Sequence, residues 1–264
     1  MSRLEISAFV VSALFQALLC APVAAAPGSP SPISLKVDPS EVGVDLFYSG
    51  TVVHAEGVIP AGTDAAIVCR GQDRAVDLKR KGKVLGILWM NVADVVLEDV
   101  PALYLLSTSS ALAELAPLPV LRELGVGYEA LEARALQPSG QNANADDFRE
   151  FLRLKESEQL YSVDEGGVKV ESGPNGAMRV SAGCLLPTKA PWGEYEIALF
   201  GFKEGQGHLL RSERLRLAPA GVTASISTLA EHHGLLYGVL AVLIALGVGV
   251  LTGLAFGLVP KKGH

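Results

Sequence analysis

From Gly234 to Leu258 the chain carries no charged side chain, and Pro260, Lys261 and Lys262 follow at once. A hydrocarbon core of about 30 Å requires roughly 20 apolar residues at the rise of an α-helix, and this run exceeds that length. The sequence therefore predicts a transmembrane helix over 234–258 and a short tail over 259–264. Everything N-terminal to the helix must then lie on one side of a bilayer.

The opposite end predicts which side. Arg3 opens a short n-region, Ile6 to Leu19 is mostly apolar, and Pro22 to Ala26 supplies small residues, the three parts of a secretory signal. Cleavage after Ala25 gives a signal peptide over 1–25, because a cut after Ala26 would leave Pro27 next to the scissile bond. Cys20 is preceded by Leu19, too bulky for a lipoprotein signal. The bulk of the chain is expected outside and the C-terminus inside, where Lys261 and Lys262 follow the positive-inside bias.

The formal net charge is −6, and setting aside the two tail lysines makes the exterior more acidic still. That argues against nucleic acid as a partner. Roughly 200 residues between signal and span can bury a core without staples. Beyond the signal the only cysteines are Cys69 and Cys184, too few for a disulfide scaffold, although an exported compartment permits one bridge between them.

Proline and glycine make residues 26–32 a disordered leader. Over 33–108 short apolar alternations, such as Val42, Val44 and Leu46, are separated by Gly50 and by Pro60 to Gly62. These read as strands. Ala65 to Cys69 reads as a strand covered on both faces, and Arg80 to Lys83 as a hairpin turn with Gly82 supplying the bend. Residues 109–162 change character: Ser109 to Leu115 and Leu121 to Leu136 have helical composition, Gln137 to Asn144 is a loop, and Asn144 caps a further helix. In that helix Phe148, Phe151 and Leu152 share a face. Strands return over 163–220, with Met178 to Leu186 and the alternating Tyr195, Ile197 and Leu199, and 221–233 is a membrane-proximal linker. The expected fold is mainly β: an immunoglobulin-like β-sandwich, as one domain or two, with a helical insert and one C-terminal transmembrane helix.

Several short segments occur together and in order: Lys81 to Lys83 with Gly86 to Asn91, Val100 to Tyr104, Ser107 to Ser109, the turn Pro191 to Tyr195, and Tyr237-Gly238 opening the span. In this the chain resembles a family of bacterial transmembrane proteins named from the alphaproteobacteria. It departs from the pattern by carrying Leu88 between Ile87 and Trp89. The resemblance covers nearly the whole mature chain and implies a bacterial inner-membrane location with a periplasmic domain. It supplies no catalytic residue to carry over.

No cofactor, metal site or catalytic constellation is expected. The exported histidines are His54, His208, His232 and His233, none of them in a recognisable motif. His54 and Glu56 share a strand face, but alternation alone produces such pairs. Lys79, Arg80, Lys81 and Lys83 form the densest basic group and are a candidate anion contact, against the plainer reading of a solvated turn. Trp89 and Trp192 are expected to serve packing. In the span, Ala241, Ala245, Gly249, Gly253 and Gly257 place small residues on every fourth position, the pattern that allows another helix to approach closely. The sequence thus predicts a non-enzymatic envelope protein that acts as a binding or accessory subunit of a membrane transporter or respiratory assembly. Its partners would be the bilayer and an integral-membrane protein or a second copy. A redox or ligand sensor using Cys69 and Cys184 is the alternative, and an unrecognised enzyme the third. A reporter fused after His264 should be active in the cytoplasm and one inserted between Gln137 and Asn144 active outside; the reverse pattern would refute the orientation.

Overall fold

The computed structural model describes residues 33–84, 87–136, 143–173, 176–221 and 229–257. The expected signal, leader and tail lie outside these residues, as do most of the Gln137 to Asn144 loop and part of the linker. The protein is mainly β. Strands β1 (Ser34–Asp38), β3 (Thr51–Ile59), β10 (Met178–Leu186) and β9 (Lys169–Ser172) form one sheet in the order β1-β3-β10-β9. A six-stranded sheet runs β2 (Glu41–Val44), β12 (Gln206–Pro219), β11 (Gly193–Lys203), β4 (Asp64–Gly71), β7 (Tyr104–Thr108) and β8 (Tyr161–Glu165). The two sheets share a core. A Cβ placed on Gly57 of β3 would lie 2.8 Å from Leu199 Cδ2 of β11, so glycine here lets the two layers close.

The strand order is that of an immunoglobulin variable-type domain, A-B-E-D facing G-F-C-C′. It includes a tyrosine corner, in which the Tyr195 hydroxyl at the start of β11 donates to the Pro191 carbonyl. The halves of the sequence do not fold separately, because β3 pairs with β10 and β4 pairs with β11. Alternation is read directly in the burial of β10, where Val180, Ala182, Cys184 and Leu186 point inward. On β4, Ala65 to Cys69 are all buried, as expected of a strand covered on both faces.

The helical segment has a topological reason. Strands β7 and β8 are parallel, and a parallel neighbour requires a crossover connection of a dozen or more residues. That crossover is α1 (Leu112–Leu115), α2 (Leu118–Leu124), α3 (Tyr128–Ala135) and α4 (Ala145–Ser157). The helix expected over Leu121 to Leu136 is broken in two. Gly125 caps α2 at φ +70° and Gly127 sits at φ +92°, a region that glycine enters without steric cost. Helix α4 begins as the sequence predicts: Asn144 Oδ1 accepts from the Asp147 amide, and Asp147 Oδ2 accepts from the Asn144 amide, each at 3.0 Å. Phe148 and Phe151 face the core.

The expected hairpin turn needs correction. Arg80 to Lys83 lie within β5 (Asp73–Val84), which pairs with β6 (Leu88–Pro101) as a separate two-stranded arm. Gly82 faces Met90 across the ladder, and a Cβ there would lie 2.9 Å from Val92 Cγ1. Its role is to admit a neighbouring side chain rather than to bend the chain. Val95 to Leu97 belong to the long β6.

An aromatic cluster seals the crossover onto the sheet. Tyr104, Tyr128 and Tyr161 have ring centroids 6.1 to 6.4 Å apart, and Phe151 meets Tyr161 edge-on at 5.7 Å. The Tyr161 hydroxyl donates to Pro101 O at 2.6 Å, and the Tyr104 hydroxyl accepts from the Gly127 amide at 2.8 Å. Burial pushes Tyr104 up to about 12 and raises Tyr128 and Tyr161 as well. An unfolded chain ionises its tyrosines near pH 10. The stabilisation from keeping these phenols neutral is therefore complete below about pH 10 and is lost as pH rises through the folded values. Alkaline titration should show phenolate absorbance rising together with loss of β-structure above pH 10; ionisation of all tyrosines at pH 10 in a folded protein would contradict this packing.

Candidate functional site

Four features are candidates for function, and the fold places them apart. The first is the thiol pair. Cys69 on β4 and Cys184 on β10 come from opposite sheets, are 0% and 3% exposed, and lie next to each other in the core as free thiols. The fold thus brings together the two cysteines that the sequence allowed to bridge, and holds them as free thiols. The neighbouring Cys184, together with burial, holds the Cys69 thiol well above its ordinary range. A thiol in that state is a poor nucleophile.

The second is the arm. Of its basic residues, Lys79 pairs with Asp94 at 3.0 Å on the arm itself. Arg80 reaches back to α4: its Nε donates to Asp147 Oδ1 at 2.9 Å and a second guanidinium nitrogen donates to Oδ2. The guanidinium holds the Asp147 carboxyl below the usual carboxylate range. The same carboxylate closes the capping box of α4, so one side chain ends a helix and fastens the arm to it. Lys81 and Lys83 lie exposed beyond that junction.

The third is a cleft of about 690 Å³ between the base of the arm and strands β11 and β12, lined by Arg70, Gln72, Asp73, Glu194, Glu196 and Arg214 among others. Asp73 accepts from Arg70 at 2.7 Å and from Arg134 of α3 at 2.9 Å. Asp73 and its two arginines are engaged with one another, and the arrangement reads as a brace between arm, sheet and crossover. Sequence reasoning missed it, because no spacing in the sequence links Asp73 to Arg134. His54 and Glu56 stand on the exposed side of β3, and His208 lies on β12. Among the described residues no group of three His, Cys, Asp or Glu is placed to hold a metal ion. Trp192, expected to pack, is 54% exposed.

The fourth is α5 (Gly234–Gly257), whose segment Gly234–Leu254 is long and apolar enough to cross a membrane and is not buried within the protein. Its small residues follow the predicted ladder, and at Gly249 and Gly253 nothing among the described residues approaches the position a Cβ would take.

The family model described as "Putative transmembrane protein (Alph_Pro_TM)" matches residues 32–257. The chain belongs to this family. No curated protein and no solved structure matches it. The Alph_Pro_TM match opens just before β1 and closes at the last residue of α5, so the two-sheet domain and the apolar helix recur as one unit. In this Alph_Pro_TM protein native alkylation at neutral pH should leave Cys69 and Cys184 unmodified, with both labelled after unfolding in reductant. Rapid labelling of the native protein would contradict the sealed interior.

Proposed function

We propose that this chain is a non-enzymatic, membrane-anchored envelope protein whose β-rich domain serves as a binding or accessory subunit of a membrane transporter or respiratory assembly. In this reading the domain is periplasmic, the span lies in the bacterial inner membrane and the C-terminus is cytoplasmic. The observation that carries it is the helix. α5 presents a ladder of small residues, and at Gly249 and Gly253 no other described residue comes near; helices in lipid associate through close packing, since hydrophobic exclusion is absent there. A simple tether requires no such ladder. The domain supports the same reading, because its engaged ion pairs and sealed thiols suit a rigid binding module better than a reactive centre.

A second reading, an envelope redox or ligand sensor, is favoured by one observation: the two buried free thiols, Cys69 and Cys184, meet across the core. Mass spectrometry of unreduced peptides from protein isolated under opposing redox conditions distinguishes a switching pair from a fixed one. The accessory reading is tested at the helix. Replacing Gly253 with Leu keeps α5 apolar and helical but blocks close approach. Partners should be lost on mild-detergent purification while membrane localisation is retained, and a Leu254→Ile control should keep them. Equal retention by both variants, or a wild-type protein that runs as a lone monomer, would refute the docking role.

A further inference from the structure

The β5 and β6 arm has one apolar face with two different fates. Near its base Val76 and Leu78 of β5 pack against the core that includes Leu97 of β6, Leu78 faces Val95 across the ladder, and Val95 and Leu97 are 1% and 0% exposed. Residues 76, 78, 80 and 82 of one strand share a face, so the face continues past Arg80, which is tied to Asp147 at the start of α4, while α3 packs against β6. Beyond that point the apolar residues are uncovered: Val92 is 51% exposed, Met90 49%, Leu88 60%, and Ile87 at the turn 86%. A hairpin end in water is normally polar, and a cluster of exposed aliphatic side chains at one point marks a contact surface.

Charge identifies the occupant. From Arg80 to Ala93 the arm contains Arg80, Lys81 and Lys83 and no acid, within a chain of net charge −6. A second copy would bring the same cations to the contact and be repelled. An anionic lipid surface complements both the lysines and the aliphatic side chains.

The topology brings that surface within reach. Gly71, where β4 gives way to the arm, faces Tyr195, and Gly193 on the same strand faces Leu217. Strand β12 ends at Pro219, so the arm and the connection toward the span leave the domain from the same end. From Asp73 to Val84 β5 reaches about 35 Å at the rise of a strand.

We propose that the tip of the arm, Ile87, Leu88, Met90 and Val92 with Lys81 and Lys83, inserts into the headgroup layer of an anionic phospholipid bilayer, giving the protein a second membrane contact besides α5. The aliphatic side chains enter the boundary between headgroups and acyl chains, and the lysines meet phosphate. This goes beyond the accessory-subunit reading and stands independently of the outcome at Gly253. The membrane contact holds the domain at a fixed tilt over the bilayer, whichever partner α5 meets.

The test uses the full-length protein in vesicles of phosphatidylethanolamine and phosphatidylglycerol. An environment-sensitive fluorophore is attached to Leu88→Cys or, as a control, to Glu171→Cys on the exposed β9. Lipids carrying a shallow nitroxide should quench the label at position 88 at least about twofold more than at 171. Lys81→Gln and Lys83→Gln should each weaken the contact roughly fivefold. Equal quenching at 88 and 171 would overturn the proposal. So would crosslinking of Leu88→Cys between copies without lipid quenching, which points to a second copy. Equal quenching in pure phosphatidylcholine would overturn the assignment to an anionic surface.

Discussion

Strand β4 has water on neither face, and the other layers are arranged around that fact. Ile67 and Cys69 look toward the four-stranded sheet, while Ala66 and Val68 look the opposite way and are buried to the same degree, 0% and 4% exposed. A strand buried on both faces needs two covers. The first is the sheet carrying β3 and β10. The second is the helical crossover between β7 and β8, which also satisfies the length that a parallel connection demands. The crossover is therefore structural in origin: without it β4 and β7 would expose an apolar face, at a cost of about 1.5–3 kcal/mol for each large side chain returned to water.

Two side chains then connect the layers to the arm. Asp147 ends α4 and grips Arg80; Asp73 joins Arg70 at the end of β4 to Arg134 of α3. Exposed ion pairs contribute little, but these two are partly screened from water, and each links segments distant in sequence. They fix how far the arm is supported, and so where its uncovered part begins.

The parts of this fold legible in the sequence are those governed by local periodicity and local capping. Met178 to Leu186 alternates because one face is wet, Asn144 caps because its side chain reaches the amide three residues on, and the uncharged stretch from Gly234 declares itself by length. The illegible parts depend on what lies across a ladder or across the core. Gly82 looks like a turn residue until Val92 is placed beside it. Gly125 and Gly127 look tolerable within a helix until the chain is required to return over Tyr104. Nothing near Cys69 announces Cys184, since their meeting follows from the stacking of two sheets. The candidate surfaces divide the same way: the small-residue ladder of α5 is a periodic signal, whereas the half-covered arm becomes visible only when the helices beside it are placed.

The pairing of β3 with β10 and of β4 with β11 also bears on the order in which the molecule can be completed. Strands made early in synthesis wait for partners that arrive late, and contacts between distant segments form slowly. Until Gly193 to Pro219 has been made, the six-stranded sheet lacks β11 and β12 beside β4, and the apolar faces of β3 and β4 remain open. Only a short connection separates Pro219 from Gly234. The strand that closes the six-stranded sheet and the helix long and apolar enough to cross a membrane are thus made almost together, so that the domain closes only as that helix emerges.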